Sequence, residues 1–258
     1  MMAFRRRAGV LEIVHKYYSD GIDFGDMFRL AVYYQARVGK KPPGFVSKAF
    51  YTIVNPLDIS EEEIFKRFTR TVRNEVRRCE KENVQCGLIE NADEFRRFHN
   101  DFAAAKGTYL ADKGLIDGYK ENLVITCAKR DGKVLAAHAY LCDRGAGTVR
   151  LLFSSNARLT ERFDVNLVGR ANKFLHFRDM LYFKEHGYAV YDFGGFAYNT
   201  SDKERQGINS FKRSFGGELV QHTDYQSWLY WLSAKVFYRI AAAKRVLFRG
   251  PGHLILHK

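Results

Sequence analysis

Proline is scarce in this chain, four residues in 258, and no serine- or glycine-rich run interrupts it. A flexible interdomain linker is therefore not expected. Cysteine is scarce too: Cys79, Cys86, Cys127 and Cys142 show no metal-ligand spacing, so they are expected to be reduced core thiols with no bound metal. No stretch of uncharged apolar residues is long enough for a transmembrane helix. The basic start, with Arg5, Arg6 and Arg7, is broken by Glu12, His15 and Lys16, and no signal peptide is expected. Also missing are G-x-S-x-G, H-E-x-x-H, a Walker A loop and G-x-G-x-x-G, which removes serine-hydrolase, zincin, P-loop and dinucleotide chemistry from the sequence-level candidates. Gly145-Ala146-Gly147 falls in a hairpin turn, not before a helix.

Acidic residues are in deficit: 29 Asp+Glu against 42 Lys+Arg, a formal charge of +13. That balance favours an anionic partner, whether a nucleotide or CoA phosphate, a nucleic acid or an acidic membrane surface. Hydrophobic residues make up 46% of the chain, with 21 Phe and 15 Tyr, enough for a substantial core.

The order of elements reads as an alternation. Gly25–Arg37 has helical spacing at Met27, Leu30, Ala31 and Tyr34. Residues 49–54 are strand-like. Ser60 and Glu63 form a capping-box signature for a helix running to about Glu82, whose other face carries Arg70, Arg73, Arg77 and Arg78. Strands are expected at 84–89, 123–129, 134–142, 148–155, 188–193 and 218–228, with Asp131-Gly132 as a hairpin turn. Helices are expected at 93–106, 166–186 and 206–214, the second closed by Gly187. This is an α/β (α+β) plan with a mixed sheet. The segments divide into an N-terminal extension over 1–56 packed on the core, a main domain over 57–231 and a basic amphipathic tail over 232–258. That tail, with Lys235, Arg239, Lys244, Arg245 and Arg249 among apolar residues, suits packing on the domain or lying on an anionic inner-membrane surface. The expected location is cytoplasmic, peripheral to the membrane in the second case.

The densest signal is residues 191–220, where Asp192-Phe193-Gly194-Gly195 ends a strand and Gly207-Ile208-Asn209-Ser210-Phe211-Lys212-Arg213-Ser214-Phe215-Gly216-Gly217 follows. Glycine pairs mark points of positive φ or close approach. These two motifs, in this order, resemble the Fem-type branch of the GNAT N-acyltransferase superfamily, as a single-domain member. The resemblance covers about residues 57–231. It implies a mostly antiparallel central sheet flanked by helices, with a parallel strand pair that splays apart to admit a thioester arm.

Acyl transfer to an amine needs a carrier site, oxyanion donors and a base. For the carrier, an acyl-CoA without a metal is expected. Its phosphates would meet the start of the 166–186 helix at Val165, Asn166 and Gly169, with Arg158, Arg162 and Arg170 nearby. Ser154 and Ser155 would line the arm. Base candidates are Asp192 and His138, with His176 weighed as a core residue; Asp192 reads equally as a cap for the following loop. The resemblance singles out Lys212, bracketed by Phe211 and Phe215, with Gly194 and Gly195 at the substrate. Lys212→Ala is expected to cut turnover without moving the melting temperature. His222 and Asp224 are further candidates for the acceptor cleft. The leading expectation is an acyl-CoA-dependent N-acyltransferase acting on a nucleotide-linked amino sugar in cell-envelope polysaccharide biosynthesis. Two alternatives stand beside it: a transferase using aminoacyl-tRNA, and a non-catalytic basic module that binds nucleic acid or membrane.

Overall fold

The computed structural model describes residues 2–8, 11–159 and 163–236. Arg162, and the tail beyond 236 with Arg239, Lys244, Arg245 and Arg249, lie outside them. In chain order the elements are β1 (Met2–Ala8), β2 (Leu11–Tyr17), β3 (Leu30–Ala36), β4 (Phe45–Pro56), α1 (Glu61–Arg67), α2 (Arg70–Lys81), β5 (Gln85–Leu88), α3 (Ala92–Lys106) and α4 (Lys113–Tyr119). They continue with β6 (Leu123–Arg130), β7 (Lys133–Asp143), β8 (Thr148–Asn156), α5 (Val165–Glu185), β9 (Val190–Gly195), α6 (Lys203–Arg213) and β10 (Glu218–Ser227). No helix among the described residues is long and apolar enough to cross a membrane.

Two compact units divide the chain. The larger holds residues 2–4 and Ala49–His222, with strand order β4-β9-β8-β7-β6-β5. Its β5–β6, β6–β7, β7–β8 and β4–β9 ladders are antiparallel, whereas β8–β9 is parallel. Asp131 and Gly132 both take positive φ, 50° and 75°, in the β6–β7 turn, as an Asp-Gly hairpin requires. One sheet face is covered by α1, α2 and α5: Ile64, Phe68, Val72 and Val76 cluster with Leu175, Phe177 and Met180 there, beside Tyr140, Tyr191 and Phe215. The other face packs on α3 through Phe95, with Ile125, Cys127, Ala137 and Ala139.

The capping box at Ser60 is present. Ser60 Oγ accepts from Glu63 N–H, and the Glu63 carboxylate accepts from Ser60 N–H. The single helix expected from 61 to 82 is two. Phe68 is extended (φ −67°, ψ 146°) and Thr69 caps a new helix. Arg73 reinforces the break by donating to the carbonyls of Lys66 and Phe68, at 2.9 and 2.6 Å.

The smaller unit holds the described residues of 5–48 with those from Thr223 on, in strand order β1-β2-β3-β10. The β2–β3 pair is parallel and β3–β10 antiparallel. The helix expected over Gly25–Arg37 is instead a short 3-10 turn, Phe24–Phe28, followed by β3. β3 is buried on both faces, and a strand of that kind is almost continuously apolar, so its sequence mimics a helical stripe. Asp26 inside the turn is buried and bonded to Lys16 and Tyr33, at 2.7 and 2.6 Å. A cation and a phenol hold it on the wall of β2 and β3.

Candidate functional site

The site begins with an irregularity in β8. Across β7, Tyr140 pairs with Leu151 and Ala139 with Phe153, so Leu152 is an extra residue, a β-bulge. A bulge bends its strand and sharpens its twist. On the other edge the parallel ladder to β9 holds Thr148–Val190, Val149–Tyr191 and Arg150–Asp192, and stops there. Gly194 still lies close to β8: a Cβ there would stand 2.8 Å from the Leu151 carbonyl oxygen. Beyond that point β8 runs on to Asn156 with β7 on one edge and no β9 partner on the other. The two strands therefore part past Leu151 and Gly194.

Residues at the end of β9 are tied down from three sides. Gly194 has φ +69°, open to glycine at little cost. Its N–H donates to Asp192 Oδ1 at 2.7 Å, and the Thr52 hydroxyl contacts both that carboxylate and the Gly194 carbonyl. Asp192 is 1% exposed. From α6, Lys212 Nζ donates to the carbonyls of Phe193, Gly194 and Gly195, at 2.9, 3.2 and 2.6 Å. Three ammonium hydrogens meet three acceptors. Burial pushes Lys212 down from its ordinary 10.5 to about 8, with Asp192 opposing the shift and Arg150 adding to it.

α6 is held in turn by the Phe215-Gly216-Gly217 turn. Gly216 has φ +69°, and a Cβ there would overlap the Arg67 carbonyl. One on Gly217 would meet Ile53 Cγ2 at 2.6 Å and the Val54 carbonyl at 2.7 Å. Thr69 N–H donates to the Ser214 carbonyl at 2.9 Å, and Asn55 Nδ2 to the Phe215 carbonyl at 2.7 Å. The second glycine pair thus lets the α1–α2 junction and β4 press against the turn, and Lys212 is aimed by that contact.

Beneath the sheet lies a buried polar chain. Asn172, His176 and Asp179, four and three residues apart, occupy one face of α5. His138 on β7 contacts Asp179 through Nδ1 and Asn172 through Nε2, at 2.8 and 2.9 Å. Tyr140 donates to Asp179 at 2.5 Å, and the Tyr140 and Tyr191 hydroxyls are 2.7 Å apart. His176 Nδ1 meets the Tyr191 hydroxyl at 2.6 Å. Burial holds His176 well below the usual imidazole range, and His138 and Lys212 push the same way. Its ring packs on Phe193, Phe211 and Phe215, with centroids 5.0, 5.5 and 5.2 Å away. His138 itself is 0% exposed, with both ring nitrogens engaged.

The residues expected to hold a carrier are distributed more widely. Ser154 stands opposite His138 on β8, past the bulge. Ser155 is buried, its hydroxyl 2.6 Å from His99 Nδ1 on α3. At the start of α5 the Asp164 carboxylate accepts from Asn166 N–H at 2.9 Å. Arg158 lies over the first turn: its guanidinium is 2.7 Å from where a Gly169 Cβ would stand and 3.4 Å from the Val165 carbonyl. Arg170 forms a fork with Glu82, at 2.9 to 3.2 Å.

Asp192, Gly194, Gly195, Lys212, Phe211 and Phe215 thus come together at the end of β9. The α5 group (Arg158, Val165, Asn166, Gly169) forms a second cluster, and His138 belongs to the interior. His222 ends the larger unit and Asp224 falls in the smaller, where it accepts from Gln35 N–H at 2.8 Å. Sequence reasoning overlooked Thr52, Asn55, Arg150 and His99. A lone polar residue on a strand carries no spacing signal, so the first three were illegible. The Asn172–His176–Asp179 spacing on an otherwise apolar helix was a legible sign of a buried network.

No family model matches the chain, and no curated protein matches its sequence. Solved structures do resemble it. FemX shares 14% identity at a TM-score of 0.64, over 91% of this chain and 85% of that one. L-PGS from Bacillus licheniformis shares 13% at 0.56, over 87% and 80%. The C-terminal domain of a putative lysylphosphatidylglycerol synthetase from Agrobacterium fabrum shares 14% at 0.55, over 91% and 84%. The chain therefore has a Fem-like fold with a mixed, mostly antiparallel sheet, as the two motifs implied.

Proposed function

We propose that the chain is an acyltransferase of the Fem and GNAT type, with the donor's reactive carbonyl placed where β8 and β9 part. The observation that carries this reading is the end of the β8–β9 ladder at a bulge, directly beside a glycine turn braced by Lys212. Backbone groups on the free edge of β8 then bind the donor arm. Lys212 exchanges one of its three carbonyl contacts for the oxygen that gains charge in the tetrahedral intermediate. A neutral amine attacks the thioester carbon, an N–C bond forms, the C–S bond breaks and the thiolate leaves. The proton lost by the amine ends on that thiolate. Asp192 serves as a positioning residue, fixing the turn through Thr52 and Gly194 N–H, and His138 stabilises the interior.

The donor in this reading is an acyl-CoA, its phosphates set against Arg158 and the first turn of α5. The acceptor is the amino group of a nucleotide-linked sugar, a dianionic class suited to the charge of the chain. A covalent cysteine intermediate is disfavoured. Burial raises all four thiols, Cys79 and Cys142 to about 12, and a thiol so raised is a poor nucleophile.

One observation favours a second donor. The start of α5 already carries the Asp164 carboxylate, which occupies one N–H and opposes a pyrophosphate there. An aminoacyl-tRNA, gripped mainly through its phosphate backbone, needs no such pocket, and FemX shares the fold.

Thermal shift in CoA, acetyl-CoA and tRNA separates the two. A ligand at 100 times its dissociation constant adds about 2.7 kcal/mol. Stabilisation by CoA upholds the first donor. Stabilisation by tRNA alone, lost steeply with added salt, selects the second. Neither ligand shifting the transition defeats both. Mass spectrometry during turnover should find no acylated protein, and an acyl group on any cysteine would overturn the direct-attack scheme.

A further inference from the structure

We propose that the smaller unit carries a docking face for an anionic phospholipid bilayer, independent of the transfer chemistry above. Its parts are the Phe24–Phe28 turn, the turn at residues 40–44 and the helical segment 228–236. Phe24, Phe28 and Trp228 are 60%, 69% and 62% exposed, and Leu229, Leu232 and Val236 are exposed as well. Between the turns and the helix lies an open groove of about 700 Å³, lined by Met27, Phe28, Pro42, Pro43, Phe45 and Trp228 among others. Large aromatic side chains left in water around a groove mark an interaction surface.

The face is fastened, not a loose collection of loops. Trp228 N–H donates to the Gly44 carbonyl at 3.0 Å. The Ser227 hydroxyl donates to the Arg29 carbonyl at 2.6 Å and accepts from Ala31 N–H and Tyr230 N–H, at 3.1 and 3.2 Å. One hydroxyl therefore holds Trp228 beside Phe28 and Arg29.

Charge selects the occupant. Arg29, Lys40, Lys41 and Lys235 are exposed around the face. Among the described residues Lys41 is the one charged residue in the groove lining, and Lys235 Nζ lies 3.6 Å from the centroid of the Trp231 ring. Of the acids on these elements, Asp26 is buried and bonded to Lys16 at 2.7 Å with Arg29 3.8 Å away, and the exposed Asp23, which caps the Phe24–Phe28 turn, lies 3.9 Å from Lys16, so Lys40, Lys41 and Lys235 carry the charge of the face. A second copy of the chain would set these cations against their own kind. An acidic bilayer offers both what the aromatics need, an apolar layer at headgroup depth, and what the lysines need, a negative surface.

The chain's two tryptophans, Trp228 and Trp231, both sit on this segment, so the native protein reports on its own docking. With the full chain, vesicles containing phosphatidylglycerol should shift the tryptophan emission to the blue and co-sediment the protein, whereas pure phosphatidylcholine should do so far less. The K40A/K41A double variant should weaken partitioning roughly thirtyfold, about a kcal/mol per lysine at the surface. Phe28→Ser should weaken it further while leaving the melting temperature unchanged, because Phe28 is already in water. If Phe28→Ser disturbs folding, the lysine pair, exposed and remote from the core, carries the test alone. Four outcomes overturn the proposal: no emission shift with anionic vesicles; equal binding to both lipids; binding that persists unchanged in the lysine variant; or an emission shift produced by self-association or by an acidic peptide without lipid.

Discussion

Gly216→Ala is expected to destabilise the larger unit by about 3 kcal/mol or more and to leave little folded protein at physiological temperature. Two costs combine. A residue with a side chain at φ +69° pays roughly 1–2 kcal/mol for the left-handed conformation. The added carbon also overlaps the Arg67 carbonyl, which is backbone and has no rotamer to escape into. Relief requires the α1–α2 junction to withdraw. That breaks the Thr69–Ser214 hydrogen bond and separates Phe68 from Phe215, whose ring centroids are 5.2 Å apart. Losses of that kind are each of order 1 kcal/mol. Gly195→Ala is the matched control. Its Cβ meets nothing closer than Phe50 at 3.7 Å, and the change should stay within about 1 kcal/mol. Denaturant titrations of the two variants decide the matter: equal stabilities would refute the packing account of the second glycine pair.

Lys212→Ala is expected to lower turnover by about a hundredfold or more, the scale of losing a preorganised donor to a developing oxyanion. It is also expected to lower the melting temperature, in contrast to the sequence-based expectation of an unchanged one. The ammonium satisfies the carbonyls of Phe193, Gly194 and Gly195, and its removal leaves them to find water in a half-buried site. Two readouts separate catalysis from architecture. Wild-type activity should fall as pH rises through about 8, where the buried ammonium loses its proton. Lys212→Arg, which keeps its charge at any such pH, should retain part of the activity and lose that alkaline limb. A variant with full turnover, or an alkaline limb unmoved by arginine, would remove Lys212 from the mechanism.

The same pKa sets a stability trend. Lys212 titrates near 8 in the folded chain against an ordinary 10.5, so the folded state binds fewer protons between those values. Its desolvation cost is fully present below about pH 8 and is relieved as pH climbs toward 10.5. The wild type should thus gain stability relative to Lys212→Met across that window.

Local chemistry was legible in the residues. Ser60 with Glu63, Asp131-Gly132, and Gly187 after α5 each mark an element's end, because capping and positive φ are satisfied within a few residues of chain. The motif around Lys212 was legible for the same reason: paired glycines at a fixed distance from a lysine stand out in a sequence. β3 was misread, since burial on both faces erases the period-two signal. The break at Phe68 was hidden, because an apolar stripe continues across it.

By itself, then, the sequence determined the alternation of elements, the +13 charge and the two glycine motifs, all of them consequences of short-range conformational preference and composition. Tertiary structure alone decided where β8 leaves β9, that Asp192 is held by Thr52 from a distant strand, and that Arg170 goes to Glu82. Those outcomes depend on register and on contacts between residues tens to more than a hundred positions apart. The one-residue bulge at Leu152 shifts the register of β8 against β7, and no local preference announces it.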